Sequence, residues 1–105
     1  TAINGVVVQQ LDGIRRDELR ELVMGLQALP EIEIAVVGSA TENGGVSVAA
    51  AISENSSIEA GDLLSKVAKI IKGGGGKGEK FAMIGGKESK ALPKALDTIR
   101  GLVEK

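Results

Sequence analysis

A chain of 105 residues, 43% hydrophobic and 26% charged, with 13 basic against 14 acidic side chains, is bounded to one small globular domain with a modest core. It has no Cys and no His. This removes a zinc or haem site of the usual kind, a disulfide framework, a Ser–His or Cys–His nucleophilic pair and an imidazole general base. Phe81 is the single aromatic residue, which leaves no row of rings on which successive bases could stack, so any nucleic acid must be held mainly through phosphates and shape.

No apolar run approaches the roughly 20 residues that span a bilayer, and the N-terminus lacks the basic region, apolar stretch and cleavage site of a signal peptide. A soluble, cytoplasmic protein with no membrane contact is expected. The chain opens at Thr1 straight into an apolar segment and is expected to be a single domain, 1–105, cut from a longer polypeptide. The charge is unevenly spread. Residues 1–65 carry three Arg against ten acids, a balance of −7, whereas residues 66–105 carry ten basic side chains against four acids, a balance of +6. An acidic portion followed by a basic one points to a surface that faces a polyanion, although lysines that merely solubilise two amphipathic helices give the same count.

Val6-Val7-Val8 and their flanks predict a buried strand over about 3–10, ended by the turn pair Asp12-Gly13. From about Arg15 to Leu29, the residues Leu19, Leu22, Val23, Leu26 and Leu29 recur at helical steps; Arg16, Asp17, Arg20 and Glu21 face elsewhere, and Pro30 ends the helix. Glu31 to Thr41 alternates at first, with Ile32 and Ile34 on one face and Glu31 and Glu33 on the other, before Ala35-Val36-Val37. This segment and a strand over about Val46 to Ser53 read as the two arms of a hairpin around Glu42-Asn43-Gly44-Gly45; Asn-Gly supplies the positive φ of a tight hairpin turn.

Ser57 or a neighbour is placed to cap a helix that reaches Lys72, with Leu63, Leu64, Val67, Ile70 and Ile71 as its apolar face. Gly73-Gly74-Gly75-Gly76-Lys77-Gly78 reads as a mobile loop, because each Gly would lose conformational freedom with no side chain to bury in exchange. Phe81-Ala82-Met83-Ile84 is a short strand closed by Gly85-Gly86, and a last helix, about Lys90 to Glu104, carries Leu92, Leu96, Ile99, Leu102 and Val103 on its apolar face. Pro93 is tolerated in its first turn. The order βαββαβα predicts an α/β domain in two layers. Its sheet is mixed, because a hairpin is antiparallel and a strand-helix-strand crossover is parallel.

The glycine loop fails the phosphate-binding motif of nucleotidases: Gly76-Lys77 is followed by Gly78 rather than Ser or Thr, and the loop leaves a helix for a strand instead of opening a helix. The dinucleotide fingerprint fails on the same topology. What such a loop can do is bring backbone amides close to a bulky anion, with Lys77 and Lys80 supplying charge. Lys66, Lys69 and Lys72 recur every three residues and lead to it, and Gly85-Gly86-Lys87 is expected to return to the same end of the sheet. The ordinary reading of lysines at a helix C-terminus is that its dipole favours them. Glu31, Glu33, Asp17, Glu18 and Glu21 read as solvated surface rather than a catalytic carboxylate pair, and Ser39, Ser47 and Ser53 have no base to activate them.

The stretch Ala60-Gly61-Asp62-Leu63-Leu64-Ser65-Lys66-Val67-Ala68-Lys69-Ile70-Ile71-Lys72-Gly73-Gly74-Gly75-Gly76, followed by Phe81-Ala82-Met83-Ile84-Gly85-Gly86, resembles the C-terminal domain of alanyl-tRNA synthetases, in the DHH-associated superfamily. The element order matches over nearly the whole chain. One segment departs from the pattern: the synthetases carry an Arg-Pro-Asp triplet before Met-Ala-Gln-Ala-Gly-Gly, where this sequence has Gly78-Glu79-Lys80 in a loop about one residue shorter. The phosphoesterase relatives place a histidine beside the glycine loop, and this chain has none.

The resemblance implies a fragment that is not itself an enzyme and needs no cofactor. It implies a parent that joins alanine to tRNA with ATP and Mg, holds Zn, and edits mischarged tRNA elsewhere in the chain. It further implies that the domain docks on the outer corner of tRNA and helps the aminoacylation and editing modules act on one tRNA. Gly73 to Gly78, with Gly85 and Gly86, would then approach the sugar-phosphate backbone, while Lys66, Lys69, Lys72, Lys77, Lys80 and Lys87 neutralise phosphates. Implied partners are tRNA and other domains of the same chain, with a homodimer left open. Two other readings stay open: the nucleic-acid-binding domain of a DHH-type single-strand exonuclease or phosphodiesterase, and a dimerisation or interdomain contact module.

Overall fold

A computed structural model of the chain describes residues 5–29, 32–40, 45–53, 59–71, 73–75, 78 and 80–103. The elements run β1 (Val6–Gln10), α1 (Arg16–Gln27), β2 (Ile34–Ala40), β3 (Val46–Ile52), α2 (Ala60–Ala68), β4 (Gly74–Gly75), β5 (Phe81–Gly86), a 3-10 turn (Ser89–Ala91) and α3 (Leu92–Val103). The expected α/β order is present with one short strand added. Pro30, the turn 41–44 with Asn43-Gly44, and the connection 54–58 with Ser57 lie outside the described residues. Among the described residues no helix is long and apolar enough to cross a membrane.

The sheet is mixed, in the order β1-β2-β3-β5-β4. β1 and β2 are parallel, because α1 carries the chain back between them. β2 and β3 form the antiparallel hairpin, in register from Ile34↔Ile52 to Ala40↔Val46, and β5 lies antiparallel on the other side of β3.

The layering differs from the expectation: there are three layers, not two. Val7, Ala35, Val37, Ala49 and Ala51 face Leu19 and Val23 of α1. Val6, Val8, Ile34, Val36, Val48, Ala50, Ala82 and Ile84 face Leu63, Leu64 and Val67 of α2 and Leu92, Leu96 and Ile99 of α3. The reason lies in the strands themselves, whose uninterrupted apolar runs leave neither face polar enough for water. Small alanines on the α1 side let that helix lie close.

Two further details change. Ile32 and Ile34 do not share a face, since β2 starts only at Ile34 and Ile32 packs on the α1 side. Leu29, expected in the core, is 43% exposed, because α1 ends at Gln27 and the backbone turns away. Arg100 of α3 donates from Nη2 to the Val8 carbonyl at 2.9 Å and from Nη1 to Asp97 at 2.7 Å, laying a charged side chain against edge strand β1.

Candidate nucleic-acid interface

α2 is amphipathic: Ala60, Leu63, Leu64, Val67 and Ala68 are buried, while Asp62, Ser65, Lys66 and Lys69 are exposed. Helix ends leave orphan N–H and C=O groups that need partners, and here the segment after the helix supplies them. At the C-terminal end, Gly73 N–H donates to the Ala68 carbonyl at 2.9 Å, and the N–H groups of Lys87 and Glu88 donate to the Ile71 carbonyl at 2.9 and 3.0 Å. At the N-terminal end, Gly61 N–H donates to the Gly78 carbonyl at 2.8 Å. The described ends of the glycine segment, Gly73 and Gly78, are therefore each hydrogen-bonded to one end of the helix.

This accounts for several glycines without any ligand. A Cβ on Gly73 would collide with the Gly85 carbonyl oxygen and lie 2.6 Å from Gly86 Cα, and one on Gly86 would collide with the Ile71 carbonyl oxygen. Gly78 sits at φ +139, where a side chain is strained, and its Cβ would strike the Phe81 carbonyl oxygen. The expectation of a loop without strand structure is corrected in part. Gly74 and Gly75 form β4, in register with Gly85 and Ile84 of β5, because backbone ladder bonds need no side chain and glycine lets β5 come near. Lys72, Gly76 and Lys77 lie outside the described residues.

The lysines do not form one cluster around the loop. β5 is six residues long, so its ends are about 17 Å apart at the usual rise per residue. Lys69 and Lys87 lie toward one end, where the Lys87 N–H bonds the Ile71 carbonyl just past α2, with Lys66 one helical turn below Lys69. Lys80 lies at the other end with Gly78, and its Nζ donates to the Ser53 carbonyl at 3.3 Å. Lys66 pairs with Asp62 at 3.8 Å; both are exposed, so the pair adds little stability.

Two lysines that the sequence reasoning passed over join Lys69 and Lys87. Lys90 is exposed on the 3-10 turn and Lys94 on the first turn of α3, and that turn begins directly after the residues that cap Ile71. Their spacing, Lys87, Lys90 and Lys94, is a signal visible beforehand. Among the described residues no ion pair joins Lys69, Lys87, Lys90 or Lys94 to a carboxylate.

The remaining candidates are quiet. Ser39 is buried and its Oγ accepts the Ile14 N–H at 2.9 Å, a structural hydrogen bond. Asp17, Glu18, Glu21 and Glu33 are exposed, as expected of solvated surface. Phe81 lies on the α1 side of the sheet, with the Arg20 guanidinium carbon 5.5 Å from its ring centre, away from the lysine-bearing helices.

The family model of the DHHA1 domain matches residues 4–105. The chain belongs to the DHHA1 domain family. This DHHA1 domain is 35% identical over 99 residues to the chloroplastic/mitochondrial alanine–tRNA ligase of Arabidopsis thaliana, covering 90% of the chain and 10% of that protein. It is 33% identical over 100 residues to the alanine–tRNA ligase of Natranaerobius thermophilus, covering 93% of the chain and 11% of that protein. The chain thus spans about a tenth of the length of these relatives. Its fold is that of the C-Ala domain from Aquifex aeolicus alanyl-tRNA synthetase, with a TM-score of 0.85 at 20% identity over 95% of this chain and 91% of that one.

Proposed function

We propose that this DHHA1 domain is the C-terminal tRNA-holding part of an alanyl-tRNA synthetase, which docks on the outer corner of tRNA and helps the aminoacylation and editing modules work on the same molecule. The observation that carries the reading is the similarity to alanine–tRNA ligases of two distant organisms across nine-tenths of the chain. The exposed lysines where α2 ends and α3 begins support it, because an RNA backbone is a dense polyanion that such a surface attracts without base contacts.

Catalysis is assigned to the parent's other domains. The chain has neither His nor Cys, and among the described residues no group of three His, Cys, Asp or Glu stands together, so these residues do not fit a zinc site. ATP, Mg and Zn belong, in this reading, to the rest of the synthetase.

The test is binding of the 105-residue chain to intact tRNA, to a minihelix without the corner, and to single-stranded DNA, each across a salt series. Preference for intact tRNA is expected. Equal or tighter binding to single strands would move the domain to the exonuclease branch, and binding to none of them would leave a protein-contact module.

A further inference from the structure

Resting on the tRNA-holding reading, we infer that the phosphate-contacting surface is the lysine-rich end of the helical layer that carries Lys69, Lys87, Lys90 and Lys94, and that its ligand is the backbone of base-paired RNA as it is presented at the tRNA corner. The glycine loop's far end, with Lys80, lies outside that surface.

The topology brings these four residues together from three elements. Lys69 closes α2, Lys87 follows β5, and Lys90 and Lys94 lead into α3. The N–H groups of Lys87 and Glu88, hydrogen-bonded to the Ile71 carbonyl, lock the turn to the helix end. All four side chains are exposed, and no ion pair among the described residues engages them. Glu88 stands among them and Asp97 pairs with Arg100, so four lysines face one adjoining carboxylate at this end and its charge stays positive. Lys80 differs in both respects: it is half-buried, and it bonds the Ser53 carbonyl at the opposite end of the sheet.

The choice of a duplex over a single strand follows from where the aromatic side chain is. Single strands are held by bases stacked on rings. The only ring, Phe81, sits on the opposite face of the sheet under Arg20, so the lysine face offers charge without stacking. Such a surface fits regularly spaced phosphates and 2′-hydroxyls of an A-form helix.

The experiment measures tRNA binding to the 105-residue chain by fluorescence anisotropy between 50 and 200 mM salt, for the wild type, Lys90→Gln/Lys94→Gln and Lys80→Gln. Each phosphate contact changes the salt slope by about 0.9, which at 0.1 M salt is about eightfold in affinity. Lys90→Gln/Lys94→Gln is therefore expected to weaken binding by up to about 60-fold and flatten the slope by nearly two, while Lys80→Gln binds as the wild type does. Circular dichroism melts confirm that all three fold, and a duplex RNA hairpin is expected to compete better than a single strand of equal length.

If the double variant binds like the wild type while Lys80→Gln loses affinity, this surface is wrong and the tRNA-holding reading stands. If a single strand competes as well as the hairpin, the duplex assignment falls. If the wild type binds no tRNA at any salt, both the surface and the reading fall.

Discussion

Replacing Gly86 by Ala isolates the close packing of β5 against the end of α2. The new Cβ would run into the Ile71 carbonyl oxygen and come within 2.8 Å of Ile71 Cγ1 and 3.0 Å of Cδ1. That oxygen accepts two backbone hydrogen bonds, from Lys87 and Glu88, and the Ile71 side chain is fully buried. Losing two such bonds costs about 2 kcal/mol. Forcing a methyl group into a filled core adds about 1–3 kcal/mol. The sum, about 3–5 kcal/mol, is a large part of the roughly 5–15 kcal/mol that holds a domain folded. For a domain of this size it lowers Tm by about 15–30 °C.

Gly101→Ala is the matched control. Gly101 lies in α3, where an added Cβ meets nothing within 4 Å, so the gain in helix propensity of about 0.5–1 kcal/mol should raise Tm by a few degrees. Thermal melts followed by far-UV circular dichroism decide both. A Gly86→Ala protein that melts within about 3 °C of the wild type would refute the close approach and return these glycines to a role in ligand contact.

Further substitutions probe other parts of the fold. Ser39→Ala leaves the Ile14 N–H without its acceptor and should cost about 1–2 kcal/mol in urea unfolding; an unchanged midpoint would show that water replaces the hydroxyl. Leu64→Ala opens a cavity between α2 and the sheet and should cost about 2–5 kcal/mol, read by the same titration with an unchanged m-value. Arg100→Ala removes the bond to the Val8 carbonyl and should cost about 1–2 kcal/mol. Asp97→Ala, which breaks only the exposed pair with Arg100, should cost less than about 1 kcal/mol, and equal losses for the two would refute the role given to the Val8 contact. Lys66→Ala should leave Tm nearly unchanged, because its ion pair with Asp62 is solvent-exposed.

Much of the fold was legible because periodicity reports burial directly. The apolar steps of Leu19, Leu22, Val23 and Leu26 mark α1, and Pro93 sits in the first turn of α3 as a residue that needs no amide partner there. The third layer was legible too, in a form easily passed over. Val6-Val7-Val8, Ala35-Val36-Val37 and Ala49-Ala50-Ala51 do not alternate, and a strand that does not alternate is covered on both faces. The candidate interface was less legible. Lys80 and Lys87 stand close in sequence, yet they flank opposite ends of β5, a strand about 17 Å long. Lys90 and Lys94 read as ordinary helix surface until the bonds of Lys87 and Glu88 to Ile71 bring the start of α3 to the end of α2.

The elements other than β4, their order and the concentration of positive charge in the last 40 residues follow from the residues alone, because each is set by side-chain chemistry and local spacing. The composition also sets what the domain lacks the residue types to do. Which lysines share a surface, and why the glycines are there, emerges from the packing of the elements. Gly73 and Gly86 answer to backbone atoms of residues far from them in the chain, and such a contact has no period or motif from which to be read. Proximity across a sheet is fixed by the register of strands and the direction of helices, and these are settled only when the two cores form together.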